Sequence, residues 1–170
     1  MKDSFETYLT SLDERMKNFG FDAYSGGDAY HFDRIYHKKA TQLTRFGNVD
    51  TYSFVKCIES NCTAKTLETF SKVSFDYGQK SRQGAPLGMG AMLVVFPLIA
   101  LEKIPQDVYQ FLINYCPKHW AAVEFPSVLD IETSNLYYYE KTPLWGMAYF
   151  ATHRKEVYNY YSPKAWIRAS

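Results

Sequence analysis

Several things are scarce in this 170-residue chain, and each scarcity excludes something. There are three cysteines, Cys57, Cys62 and Cys116. An odd number makes no complete disulfide framework, and the lone C-x4-C pair lacks the second pair that a zinc tetrahedron needs. Reduced, buried thiols are the expectation, which points to a cytoplasmic protein. Cys116 precedes His119 by three positions, but Cys–His dyads meet through the fold rather than at that spacing. Charge of one sign is not in excess either. Lys and Arg number 19 against 18 Asp and Glu, a net charge of +1. A dedicated nucleic-acid binder normally carries a basic excess, so nucleic acid is disfavoured as a partner. No apolar run is long enough to cross a membrane. The longest, Leu87 to Leu101, falls short of the roughly 20 residues a bilayer requires and contains Pro97. The N-terminal MKDSFETYLTSLDERMK is charged throughout and has no signal-peptide core. Repeats, low-complexity segments and charge blocks are absent, so residues 1–170 are expected to form one domain.

Catalytic and cofactor signatures are missing as well. The histidines, His31, His37, His119 and His153, show no HExxH spacing, and there is no GxSxG elbow or GxxxxGK[ST] loop. No metal or cofactor is expected on these grounds.

Aromatic residues are abundant: 15 Tyr, 12 Phe and 3 Trp make 18% of the chain. The helical stripe Phe5, Leu9, Leu12, Met16, Phe19, stopped by Gly20, predicts a helix over 3–19, and residues 1–27 read as this helix plus a Ser-Gly-Gly-Asp turn. Residues 30–59 read as a hairpin, with 30–46 compatible with helix but leaning to strand and YSFVKCI at 52–58 a strand. Residues 63–170 read as a helix–strand–helix–hairpin–helix core. Its first helix runs from a Thr63 cap to a stop at Gly78. Its central strand is Ala91–Leu101. Its second helix starts at Pro105. A hairpin then pairs 119–131, bent at Pro126, with 136–141 across a Thr133-Ser134 turn. The last helix begins at Met147 and ends before Pro163. Crossovers combined with hairpins predict an α+β fold: a mixed β-sheet with a C-terminal antiparallel hairpin and about four helices packed on it.

Three groups of residues are candidates for function. The loop 82–90 carries Arg82, Gly84, Gly88 and Gly90, and glycine backbones converge readily on anions. The loop lies after a helix and before a strand, however, the reverse of the phosphate-binding order. In the hairpin, the odd residues from His119 to Ile131 are mostly apolar and should face the core. A two-residue turn would place Glu124, Asp130, Tyr137, Tyr139 and Lys141 on the other face. Glu124 stands alone in the apolar HWAAVEFP, so it must be paired or protonated there, and a Glu124–Lys141 ion pair is the simplest partner. The third group is aromatic. Tyr137, Tyr139 and Trp145, with Trp120, form a candidate ligand or self-association surface, since surplus tyrosine and tryptophan mark interfaces.

The leading functional expectation is a soluble binding or protein-interaction domain with an aromatic-lined surface. Its partner would be a small molecule, a protein, or a second copy in a two-fold homodimer. The alternative is a small hydrolase for a phosphorylated or nucleic-acid substrate, using Glu124, Asp130 and Lys141 with His119 nearby.

Overall fold

The computed structural model describes residues 2–25, 30–42, 47–142 and 147–167. The helix expected over 3–19 is α1, Lys2–Asn18. It ends as the glycine predicts: Gly20 takes φ +77°, and the Phe21 N–H returns to Met16 O. A two-residue strand β1, Asp22–Ala23, then lies on the edge of β2, Arg34–Gln42. Residues 34–42 are therefore strand. β2 pairs antiparallel with β3, Gly47–Ile58, and the turn between them lies outside the described residues.

The next helix, α2, is Ala64–Ser81, capped as expected by Thr63, whose hydroxyl accepts the Thr66 N–H. It does not stop at Gly78. That glycine is buried against the sheet, and a Cβ there would lie 3.1 Å from Val95 Cγ2. Its role is close approach of helix to sheet rather than termination. β4, Ala91–Leu101, is central and parallel to β3. After α3, Gln106–Leu112, come β5, Ala122–Glu124, and β6, Ser127–Asp130, both parallel to β4. β7, Asn135–Tyr138, runs back antiparallel to β6. The described residues form a seven-stranded mixed sheet in the order β1-β2-β3-β4-β6-β7, with β5 also on β4. The chain closes with α4, Met147–Tyr161, and α5, Pro163–Ile167. Pro163 starts this fifth helix instead of merely ending the fourth, a position proline favours.

The fold is α+β, with helices on both faces of the sheet. α1 and α4 pack with Val94, Phe96, Val123, Phe125 and Leu129 on one face. α2 and α3 cover Leu93, Val95, Ile99 and Val128 on the other. Burial on both sides explains why β4 reads as an unbroken apolar run.

The hairpin departs from expectation in three ways. First, the single strand 119–131 is two strands. Odd residues of β4 bond toward β5: the Leu93 N–H donates to Ala121 O, and Val95 O accepts from the Phe125 N–H. Pro97, next in that series, has no N–H to give, and the ladder lapses there. It resumes without a slip, since Val95↔Glu124 and Leu98↔Ser127 have the same offset. Second, the turn is longer. Asp130 pairs with Asn135, not Tyr137, and the Thr133 N–H donates to Asp130 Oδ1 at 2.8 Å. Third, β7 ends at Tyr138, so alternation stops before Tyr139. Tyr137 packs edge-on to Tyr109 beside α3, whereas Tyr139 is buried against Phe150 of α4. The two do not share a face.

Candidate functional site

One end of the sheet, at the starts of β4 and β5, gathers several of the candidate residues. The loop 82–90 runs from α2 into β4 and is tied down along its length. Lys39 Nζ donates to Gln83 O at 3.3 Å, the Asn48 N–H to Gly90 O at 2.9 Å, and the Gly88 N–H to Ala91 O at 2.9 Å. Opposite, residues 119–122 make a tight turn. His119 bridges to Ala122, and Ala121 takes φ +48°. Trp120 is at its tip, 81% exposed. The indole lies against Gly88: φ there is +83°, and a Cβ would fall 2.6 Å from Trp120 Nε1. The positive φ favours glycine, and any side chain there would have to push the exposed indole aside. Between loop and indole is a cleft of about 380 Å³, lined by Gly88, Gly90, Ala91, Met92, Trp120, Ala121 and Tyr149. Met89, 73% exposed, stands beside it.

The turn that presents Trp120 is anchored from below by Glu124. This carboxylate is 4% exposed and accepts from three side chains. Ser71 Oγ lies 2.6 Å and Tyr115 Oη 3.0 Å from Oε1, and His119 Nε2 lies 2.7 Å from Oε2. The partners come from α2, from the segment after α3 and from the turn itself, so Glu124 joins three separate pieces of chain. Burial, then the adjacent Glu124 charge, raises the Tyr115 hydroxyl well above the ordinary phenol range. The His119 ring stacks on Phe75 with centroids 3.7 Å apart. The expected Glu124–Lys141 pair is not formed; Lys141 Nζ donates to Asn114 Oδ1 instead, because the strand pairing ends before it.

A second buried acid repeats the pattern across α2. Asp50 on β3 lies 3.1 Å from His37 Nε2 and 4.0 Å from Arg82 Nε. His37 stacks on Tyr52 at 4.3 Å, and burial, with Tyr24 and Asp50 nearby, pushes the Tyr52 hydroxyl up to about 12. Arg82 is therefore turned inward, with 11% of its side chain exposed, and also donates to Ala85 O. It faces Asp50 rather than open solvent, and its Nε is buried with no hydrogen-bond partner among the described residues. Asp50, His37, Ser71 and Tyr115 were not singled out from sequence. Asp50 carries no local signal like that of Glu124, since Asn48, Thr51 and Ser53 on the same strand are polar as well.

The remaining candidates disperse. Asp130 is buried and holds its own turn, far along the ladder from Glu124. Gly84 lies beside Lys39, 3.8 Å from Nζ by its absent Cβ. Trp145 lies outside the described residues. Cys116 forms no disulfide, and its hydrogen-bond partner is Tyr139 rather than His119. Burial pushes Cys57 up to about 12 and Cys62 up to about 11, which leaves almost no thiolate at neutral pH. Native protein should thus react slowly with Ellman's reagent at pH 7, while guanidinium-unfolded protein should release the full complement from all three cysteines. Fast native reaction would contradict this burial. Among the described residues no group of three His, Cys, Asp or Glu is placed to hold a metal ion, and no helix is long and apolar enough to cross a membrane. No family model, curated protein or solved structure matches the chain.

Proposed function

We propose that this chain is a protein-interaction domain that grips an apolar side chain of a partner protein between Trp120 and the glycine loop. The observation that carries the reading is the exposure of two large apolar residues at an apolar cleft: Trp120, 81% exposed and lining it, and Met89, 73% exposed in the loop between the lining residues Gly88 and Gly90. Enclosed small-molecule sites bury their aromatic lining. Projecting tryptophan and methionine around a shallow pocket have the character of an interface anchor point. The three free thiols support a reducing, cytoplasmic setting for this work. A second copy of the chain is a partner of the same kind, and sedimentation velocity separates it from a foreign one.

N-acetyl-phenylalaninamide and N-acetyl-leucinamide serve as probes of the cleft. At millimolar concentration they should shift the amide resonances of Gly88, Gly90 and Ala121, whereas N-acetyl-aspartamide should not. Trp120→Ala should lose these shifts while changing stability by less than about 0.5 kcal/mol, as exposed substitutions do. Unmoved resonances in the parent protein would end the proposal.

The contact between His119 and Glu124 favours a second reading, a hydrolase in which the carboxylate orients the imidazole as a base. Asp130 and Lys141 do not join that pair, so His119 would act without them. Turnover of p-nitrophenyl phosphate or acetate that His119→Ala abolishes would support it.

A further inference from the structure

The net charge of +1 is the sum of two unlike ends. The register shows which residues share an end. Gln42 pairs with Gly47, Asn48 with Ala91 and Leu93 with Ala122, so the end of β2 and the starts of β3, β4 and β5 lie together. α2 and α3 each finish there, because each leads into the start of a strand parallel to β4. β7, antiparallel to β6, also runs toward it. This is the end that carries the Trp120 cleft.

Its exposed cations are Lys39, Lys80, Lys118 and Lys141, and Arg154 is half-buried, donating to Glu140 O and Lys141 O. Lys39, Lys80 and Lys141 have no carboxylate within 4.0 Å among the described residues. Two acids at this end are withdrawn: Asp50 and Glu124 are buried and bound by His37, Arg82 and His119. Glu140 is exposed, Asp22 is exposed on the edge strand in the same row as Glu124, and Asp76 is exposed further back along α2. At the opposite end, among the described residues, the exposed acids Asp3, Glu6, Glu59, Glu102, Asp107 and Glu132 outnumber the exposed lysines Lys65, Lys103 and Lys164, and Glu102 and Glu132 line one pocket beside Ser4 at the start of α1.

We infer that the partner segment is acidic: a peptide stretch rich in Asp or Glu with a single apolar anchor that enters the Trp120 cleft while its carboxylates meet Lys80 and Lys141. This rests on the interaction reading above and adds the partner's charge to it. Complementary charge around an apolar anchor chiefly raises the association rate and rejects unlike partners. It acts over about 10 Å at 0.1 M salt. Single-stranded nucleic acid is also anionic and stacks on tryptophan. The cleft favours the peptide, because methionine, alanine and glycine backbone line it beside the indole, which suits a side chain inserted end-on.

The experiment titrates the full chain with four blocked twelve-residue peptides and with oligo(dT). The peptides are a Glu-rich one with a central Phe, its Glu→Gln form, its Glu→Lys form, and the Glu-rich one with Phe replaced by Gly. The acidic Phe peptide should bind about tenfold tighter than the Gln form at low salt, and the gap should close as salt rises. Replacing Phe by Gly should remove binding. The combined variant Lys80→Gln, Lys141→Gln should lose the tenfold advantage while N-acetyl-phenylalaninamide still shifts the cleft resonances. Equal affinity for the acidic and Gln forms overturns the charge inference and leaves the interaction reading standing. Silence from every Phe-bearing probe overturns both. Tighter binding of oligo(dT) than of the acidic peptide overturns the peptide in favour of nucleic acid.

Discussion

Glu124→Ala should destabilise the protein by about 3–5 kcal/mol, the scale for breaking a buried, hydrogen-bonded charge cluster by removing one member. Truncation leaves the Ser71 hydroxyl, itself fully buried, and the Tyr115 hydroxyl without their carboxylate acceptor, and strips His119 of its partner. Each buried donor left unpaired costs about 1–3 kcal/mol. Glu124→Gln is the informative companion. Its amide oxygen can keep the bonds from Ser71 and Tyr115, and its NH2 can donate to Nε2 of the neutral imidazole tautomer that carries its proton on Nδ1. A loss of only about 1 kcal/mol is then expected, because hydrogen bonds to a charged acceptor are replaced by neutral ones. Urea denaturation with matched m-values reads both variants. If Glu124→Ala lies within 1 kcal/mol of the parent, the carboxylate does not join the three pieces of chain.

The same residue shows what was and was not legible in the sequence. That Glu124 had to be partnered followed from one carboxylate in an apolar strand. Which partners it found did not follow, since Ser71 and Tyr115 reach it through helix packing that no local pattern encodes. Lys141 follows as the partner only if the hairpin is one long ladder. A proline in β4, on the neighbouring strand, interrupts that ladder, and a strand's own periodicity carries no trace of it. Gly78 was ambiguous for a related reason. A glycine within a helical stripe marks either an end or a close approach, and Val95 on another element decides. By contrast α1, the Thr63 cap and the apolar β4 were readable, because each depends on residues adjacent in sequence or on a simple period. Trp120 was named from composition, and its cleft exists because Gly88, far from it along the chain, offers a surface without a side chain.

Asp50→Ala should cost about 3–5 kcal/mol and, unlike Glu124→Ala, should also release the glycine loop. Asp50 is 2% exposed, and Arg82 faces it with 11% of its side chain accessible. Removing the carboxylate strands a guanidinium that cannot shed its proton, so the side chain must leave for water. Arg82 is the first residue of the loop that carries Gly88 and Gly90, and its departure pulls on the segment that walls the Trp120 cleft. Hydrogen exchange at the Gly88 amide, which donates to Ala91 O in the intact loop, should accelerate in Asp50→Ala and stay near the parent rate in Glu124→Gln. N-acetyl-phenylalaninamide should bind the Asp50 variant more weakly in step with that loss of protection. A double variant, Asp50→Ala with Arg82→Met, isolates the pair. With the stranded cation gone, its loss of stability should fall short of the sum of the two single losses by about 1–3 kcal/mol, the usual coupling for groups in direct contact. Strict additivity would show that the 4.0 Å approach of Arg82 to Asp50 carries no energy, and that Lys39 and the β3–β4 backbone bonds hold the loop without it.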